Sequence, residues 1–578
     1  MSDRHYFELN REFASSSHEG MGRRAWLGLF GQTAAVLAAG GAAEAETPAA
    51  KPSAPKAAAS GPIIVAGAGK SVVETAGGKV RGYTRNGIFT FKGMPYAEST
   101  AGKNRFAPPV KPAPWTGIRS ALSLGPAAPQ AFNATMEYRR AAWRHDEEAF
   151  MFEWEDGQPG EDCCHLNVWT PSVNDNRKRP VIVWIHGGGF YAGSCDELRA
   201  YDGESLARRG DVVVVSMNHR LGSLGYLNLM EYGDRYRSSA NVGMLDLVVS
   251  LEWVRDNISR FGGDPGKVFI FGQSGGGSKV STLMAMPAAK GLFHRASIQS
   301  SGSPLRALER TGTAKAAAGV VAELGLSKAS IDKILEVPYY RIVKAAEDSA
   351  MKNGAINWGA TVDSAILPRH PFDPDASEVS AAIPLMIGTV LNENANSVQQ
   401  GDPAFDEMSM EEARRRVSQL IGAERADNAL AVCGKNHPNA KPAQLWSRIY
   451  GATRRQPAIY AAERKAAQKA APVYNYWFAW QSPVLDGRAG AYHTSELPFC
   501  FNNTDRCAYL TGGGADARAL ALKVADAWIA FARNGDPNHP GLPKWTPFNA
   551  ADAPVMIFDN ESVCRNNPDK DERDAVKA

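Results

Sequence analysis

KVFIFGQSGGGSKV, Lys267 to Val280, is the stretch on which the reading of this chain turns. An apolar run ends in glycine, a lone Ser274 follows, and three more glycines precede a polar segment. Taken alone, the stretch suits a loop that cradles a phosphate, a flexible linker, or a turn that presents a reactive serine. Its surroundings separate these.

Outward from it, VIVWIH (Val181 to His186), DVVVVSMN (Asp211 to Asn218) and KVFIFG (Lys267 to Gly272) are short and β-branched. Buried parallel strands have this composition because both of their faces are covered. Between the last two, Met244, Leu247, Val248, Leu251 and Val254 recur at helical spacing. Strand, helix and strand in this order predict an α/β fold, a large mainly parallel sheet with helices on both faces. In that setting Gly272-Gln273-Ser274-Gly275-Gly276 fits G-x-S-x-G, entered from a strand and left into a helix expected to begin near Ser278. Glycines two residues either side of the serine suit so tight a turn, since larger side chains would collide with the neighbouring strand and helix. HGGGF (His186 to Phe190) follows another strand, and such a glycine run leaves backbone N–H groups free to hold a developing oxyanion.

A serine nucleophile also needs an acid and a base, in the chain order Ser, Asp or Glu, His. PLMIGT (Pro384 to Thr389) reads as a strand, with Glu393 four residues beyond it, and YHTSELPF (Tyr492 to Phe499) supplies His493 in a loop. Order alone does not assign the three, because 11 histidines and 61 acidic residues leave many combinations.

The rest of the chain narrows the function classes. A net charge of +3 over 578 residues gives no argument for nucleic acid or an anionic membrane. Seven cysteines with no C-x-x-C supply no disulfide framework and no zinc site; Cys500 and Cys507 could close a small loop in an oxidising compartment. Arg23 and Arg24 precede a short glycine- and alanine-rich apolar stretch, and Ala43 to Ala45 offer an A-x-A cleavage site. GRRAWLG resembles the twin-arginine export signal, so residues 1–45 are read as that signal, cut near Ala45, with a periplasmic or secreted product. The apolar stretch is too short to span a bilayer, and no transmembrane anchor is expected. Residues 46–72 read as an Ala/Pro-rich linker, 73–565 as one catalytic domain and 566–578 as a polar tail. GAGKS (Gly67 to Ser71) imitates a P-loop but lacks its upstream glycine, since position 64 is isoleucine.

From about Val72 to about Phe558 the chain resembles the type B carboxylesterases, the α/β-hydrolase family that includes cholinesterases and bacterial p-nitrobenzyl esterases. FKGMPYA (91–97), RFAPPVKPAPW (105–115), EDCCHLNVWTP (161–171), HGGGFYAGS (186–194) and NHRLGSLGYL (218–227) carry the resemblance. LEWVRDNISRFGGDP (251–265), FGQSGGG (271–277), GLFHRA (291–296), HTSELPFCF (493–501) and AWIAFARNGDPN (527–538) complete it. The resemblance implies an α/β-hydrolase fold and hydrolysis of small-molecule carboxylic esters with neither metal nor cofactor. It makes Ser274 the nucleophile, Glu393 the acid, His493 the base, and the amides of Gly188, Gly189 and Gly275 the oxyanion donors. His186 then shapes the glycine loop, Asp363 is structural, Glu496 fixes a loop, and Arg105 and Glu161 form an ion pair. Hydrolysis of amides or carbamates would use the same residues, and a non-catalytic adhesion module of the same fold would lack the triad.

Four positions depart from the family pattern. Gln273 stands where a glutamate usually precedes the nucleophile, and Gly275 where alanine often follows it. The Cys163 of EDC lacks its usual disulfide partner, because GPAAPQ (Gly125 to Gln130) has Ala128 there, in keeping with folding before export. TVLNENAN (Thr389 to Asn396) differs from the usual acid loop.

Overall fold

The computed structural model describes residues 62–577 except 68, 131–146, 148–150 and 153–156. The export signal, its cleavage site and the linker up to residue 61 lie outside the described residues. The strands in chain order are β1 (Ile64–Val65), β2 (Val72–Thr75), β3 (Gly78–Arg81), β4 (Tyr83–Arg85), β5 (Ile88–Pro95), β6 (Ile118–Ser120) and β7 (His165–Thr170). They continue with β8 (Arg179–Ile185), β9 (Val213–Met217), β10 (Gly263–Gln273), β11 (Arg295–Gln299), β12 (Leu385–Val390), β13 (Val473–Phe478), β14 (Pro554–Phe558) and β15 (Val563–Asn566). Among the described residues twelve of them form one sheet, ordered β1-β4-β5-β7-β9-β8-β10-β11-β12-β13-β14-β15, while β2, β3 and β6 form a small separate sheet. From β9 across to β14 every neighbouring pair is parallel, and the other pairs of the twelve-stranded sheet are antiparallel.

Strand periodicity divides the interior in two. Val181, Val183, Ile185, Val268 and Ile270 face a core shared with Met244, Leu247, Leu251 and Val254 of the helix Val242–Asn257. Their alternates Ile182, Trp184, Phe269 and Phe271 face a second core with Trp528 and Phe531 of the helix Ala515–Asn534. A strand buried on both sides has no polar alternation, which is why these runs are continuously apolar.

The chain leaves β8 for β9 on one side, then crosses to β10 on the other. That reversal opens a crevice beyond the carboxyl ends of β8 and β10, where ligands of open α/β sheets bind. His186 to Gly189 leave the end of β8 and Ser274 leaves the end of β10, so both glycine motifs meet there.

Three expectations need correction. The linker does not run to residue 72: Ile64 and Val65 already pair with Arg85 and Thr84 at the sheet edge. Residues 566–578 are not a free polar tail. Lys570–Val576 is a helix, and its Glu572 and Arg573 are buried and paired. Buried Asp569 sits 2.8 Å from Arg455 Nε and 3.1 Å from Arg573 Nε, and Glu572 lies 2.7 Å from His437. Finally, Cys500 and Cys507 are free thiols, as are the other five cysteines. Cys500 Sγ accepts a hydrogen bond from Gln299 at 3.4 Å, and Cys163 packs against Ala128 and Leu221.

Candidate active site

Ser274 occupies a backbone conformation few residues adopt, φ 57° and ψ −122°. Its N–H donates to Gln299 O on β11 at 2.8 Å, and its carbonyl accepts from Ser278 N at 3.1 Å. The strand is thereby turned directly into the helix Gly275–Leu283. This helix begins three residues before the expected start. The glycines are inside its first turn because of what presses on them. A Cβ at Gly276 would stand 2.1 Å from Ile185 O, and one at Gly272 would stand 2.5 Å from Gly276 itself. The spacing of G-x-S-x-G therefore records two backbones in contact.

The glycine loop after β8 packs on the same turn. Gly188 and Gly189 have φ of 74° and 61°, left-handed values that a Cβ would strain. A Cβ on Gly275 would fall 2.1 Å from Gly189 O, so the two predicted oxyanion segments touch. Among the described residues, the N–H groups of Gly188, Gly189 and Gly275 have no hydrogen-bond acceptor. Gln130 anchors the loop's far end, donating to Gly193 O at 3.1 Å and accepting from Gly193 N at 2.8 Å. His186 is buried, with Nδ1 3.1 Å from Gly187 O, and its ring stacks on His219 at 4.9 Å. Burial, with Lys279 nearby, holds His186 well below the usual histidine range, so it stays neutral.

Glu393 and His493 meet on the other side. Glu393 follows β12 with a left-handed φ of 48°, and Oε2 bonds His493 Nδ1. His493 N donates to Glu393 O at 3.0 Å, and Glu393 Oε1 accepts from Val390 N at 3.2 Å. Gln399, which the sequence did not single out, clamps the base by accepting from His493 N at 3.2 Å and donating to His493 O at 3.4 Å. With Nδ1 donating to the carboxylate, the neutral imidazole keeps its lone pair on Nε2. Among the described residues, Ser274 Oγ makes no hydrogen bond to His493. The buried Gln273 side chain is what connects the two motifs, its amide nitrogen 3.2 Å from Nε2 and 3.4 Å from Nδ1. That nitrogen therefore lies against the imidazole, within reach of both ring nitrogens.

A serine on a strained elbow, three uncommitted amides beside it and a carboxylate-bound imidazole suit acyl transfer. Residues 69–576 match the model of the carboxylesterase family. The chain is 33% identical over 512 residues to a para-nitrobenzyl esterase of Bacillus subtilis, covering 87% of this chain and 97% of that one. It is also 33% identical over 508 residues to a phenmedipham hydrolase of Pseudarthrobacter oxydans, covering 86% and 96%. Among solved structures, a carboxylesterase of Geobacillus stearothermophilus superposes with a TM-score of 0.74 at 33% identity, over 88% of this chain and 100% of that one. An esterase of Clostridium hathewayi, described as able to hydrolyse aliphatic aromatic polyesters, does so with a TM-score of 0.75 at 35% identity, over 88% and 98%.

The chain belongs to the carboxylesterase family.

As a carboxylesterase it has the α/β-hydrolase fold and hydrolyses carboxylic esters. Several of its supporting residues stand as the family resemblance implies. Arg105 holds Glu161 through Nε and Nη2, both at 2.6 Å, and Asp363 accepts from Ala365, Ile366 and Leu367 N–H groups and from Asn241. Glu496 differs. Its backbone carbonyl holds Phe499 and Cys500, but among the described residues neither buried carboxyl oxygen has a hydrogen-bond partner. Burial, with the Glu393 carboxylate beyond it, pushes this carboxyl up to about 8, so it is neutral at pH 7. Nothing in the motif distinguishes such an acid from a solvated one. Among the described residues no group of His, Cys, Asp or Glu could hold a metal ion, and no helix is long and apolar enough to cross a membrane.

Proposed function

We propose that this carboxylesterase works through an acyl-enzyme on Ser274, with His493 as base, Glu393 as its acid, and the amides of Gly188, Gly189 and Gly275 as oxyanion donors. The observation that carries the proposal is the set of three unengaged amides packed beside a serine held at φ 57°. His493 Nε2 takes the hydroxyl proton as Ser274 Oγ attacks the ester carbonyl. The three N–H groups hold the tetrahedral oxyanion more tightly than the ground-state carbonyl, which lowers the barrier. His493 then protonates the departing alcohol. Water attacks the acyl-enzyme by the same route and releases the acid. Glu393 fixes the tautomer and stabilises the imidazolium that forms in each half-reaction.

The substrates we infer are small carboxylic esters; the relatives' names point to p-nitrobenzyl esters, and p-nitrophenyl esters serve as chromogenic probes of the same class. Replacing Ser274 with Ala should lower kcat on p-nitrophenyl acetate by on the order of 10⁴-fold or more while the fold is kept. Substantial hydrolysis by a well-folded Ser274→Ala protein would sink the assignment.

We also infer twin-arginine export to the periplasm, supported by Arg23-Arg24, the short apolar stretch and the A-x-A site. Lys-Lys in place of Arg23-Arg24 should strand activity in the cytoplasm; unchanged periplasmic activity would contradict it.

A further inference from the structure

A buried cation behind the glycine loop has no part in the mechanism so far. Lys279 lies five positions after Ser274 on the helix Gly275–Leu283 and is 0% exposed. Its Nζ donates to His186 O at 3.1 Å, lies 3.5 Å from Gly187 O, and stands 5.6 Å from the centre of the Phe190 ring. All three contacts fall on HGGGF, the loop that carries Gly188 and Gly189.

The Gly187 carbonyl belongs to the same peptide group as the Gly188 N–H. A cation at that oxygen draws density from the amide nitrogen and strengthens the N–H as a donor, since hydrogen bonds in a chain polarise one another. It also fixes the plane of the peptide, and with it the direction of the N–H. His186 Nδ1, 3.1 Å from the same oxygen, adds a second donor, and the buried, unpartnered Nε2 fits the tautomer with its proton on Nδ1.

Packing does not explain a lysine here. A methionine would fill similar space without the cost of burying an ammonium. Among the described residues no carboxylate forms an ion pair with Lys279. The nearby Glu197 carboxyl is committed to Ser194 N at 3.1 Å and the Tyr201 hydroxyl at 3.3 Å. Burial pushes the lysine down to about 7 and the Glu197 carboxyl up to about 8. An ammonium kept fully buried at such cost points to a task beyond stability.

We propose that Lys279 is a positioning residue of the oxyanion hole, gripping the His186 and Gly187 carbonyls so that the Gly188 N–H is aimed and polarised for the transition state. This rests on the assignment of Ser274 and the oxyanion amides under the proposed function. The test compares wild type, Ser274→Ala and Lys279→Met on p-nitrophenyl acetate. A donor that is weakened rather than removed costs less than the 10²-fold or more of outright loss, so kcat in Lys279→Met should fall about tenfold. KM should stay within about twofold, and the affinity of a trifluoromethyl ketone inhibitor should fall by the same factor as kcat/KM. The melting temperature should hold or rise, because a buried charge has been removed. Lys279→Gln, which keeps a neutral donor, should lose less than Lys279→Met, and it carries the test if the methionine variant fails to fold. Unchanged kcat, or a joint loss in kcat and KM with a lowered melting temperature, would overturn the proposal. Activity surviving in Ser274→Ala would instead overturn the reading beneath it.

Discussion

At Ser274 a left-handed φ of 57° is stored where the reaction is proposed to begin, and the neighbours that maintain it set the predictions at this scale. Gly275→Ala should lower kcat by on the order of 10²-fold, because the new Cβ would fall 2.1 Å from Gly189 O and push an oxyanion donor away. Near-normal kcat would show that the loop yields freely. Glu393→Gln keeps the shape but removes the charge that supports the imidazolium, and should cost about three or four orders of magnitude in kcat. A nearly silent Glu393→Gln beside a crippling Asp363→Asn would mean the wrong acid has been chosen. Gln273 touches the His493 ring, so Gln273→Glu would place a carboxylate against the imidazole and favour its protonated form. The acidic limb of kcat/KM should then move to higher pH; an unmoved limb would reject the electrostatic reading. The serine elbow was legible in the sequence because G-x-S-x-G is short and local, whereas His493 was singled out only through the family resemblance. Lys279 and Glu496 were not legible, since what matters about them is burial without a carboxylate or hydrogen-bond partner, a property of tertiary placement.

Among the elements, β8, β9 and β10 were readable because burial on both faces writes itself as unbroken β-branched runs. The helix after Ser274 was misplaced by three residues, since Gly275 to Gly277 look like a loop until the backbones pressed against them are seen. The helix Lys570–Val576 escaped for a related reason: its Glu572 pairs with His437, and Asp569 at its N-cap with Arg455, both far away in sequence. The turn Glu496 to Cys500 carries a prediction of its own. The folded carboxyl of Glu496, at about 8, lies above the ordinary glutamate value of about 4.3. Between the two the folded chain holds a proton that the unfolded chain has lost, so stability falls as pH rises through that window. Glu496→Gln removes this penalty. Its denaturation midpoint relative to wild type should therefore climb from pH 5 to pH 8, and a constant difference would contradict the buried neutral acid.

Over the whole molecule, the crossing from β9 over β8 to β10 creates one crevice and delivers the serine elbow and the glycine loop to it together. Glu393 follows β12, and His493 lies in the loop between β13 and β14, so the base is carried to that crevice by strands remote in sequence. The sequence showed these parts in their chain order, but their meeting depends on the sheet, which order alone does not reveal. Labelling of the intact protein with diisopropyl fluorophosphate, followed by peptide mass mapping, tests the central claim most directly. The account predicts one phosphoryl group per chain, on the peptide that contains Ser274, with activity lost in proportion to labelling. Inactivation with the group on another residue, or full labelling of Ser274 with hydrolysis undiminished, would contradict it.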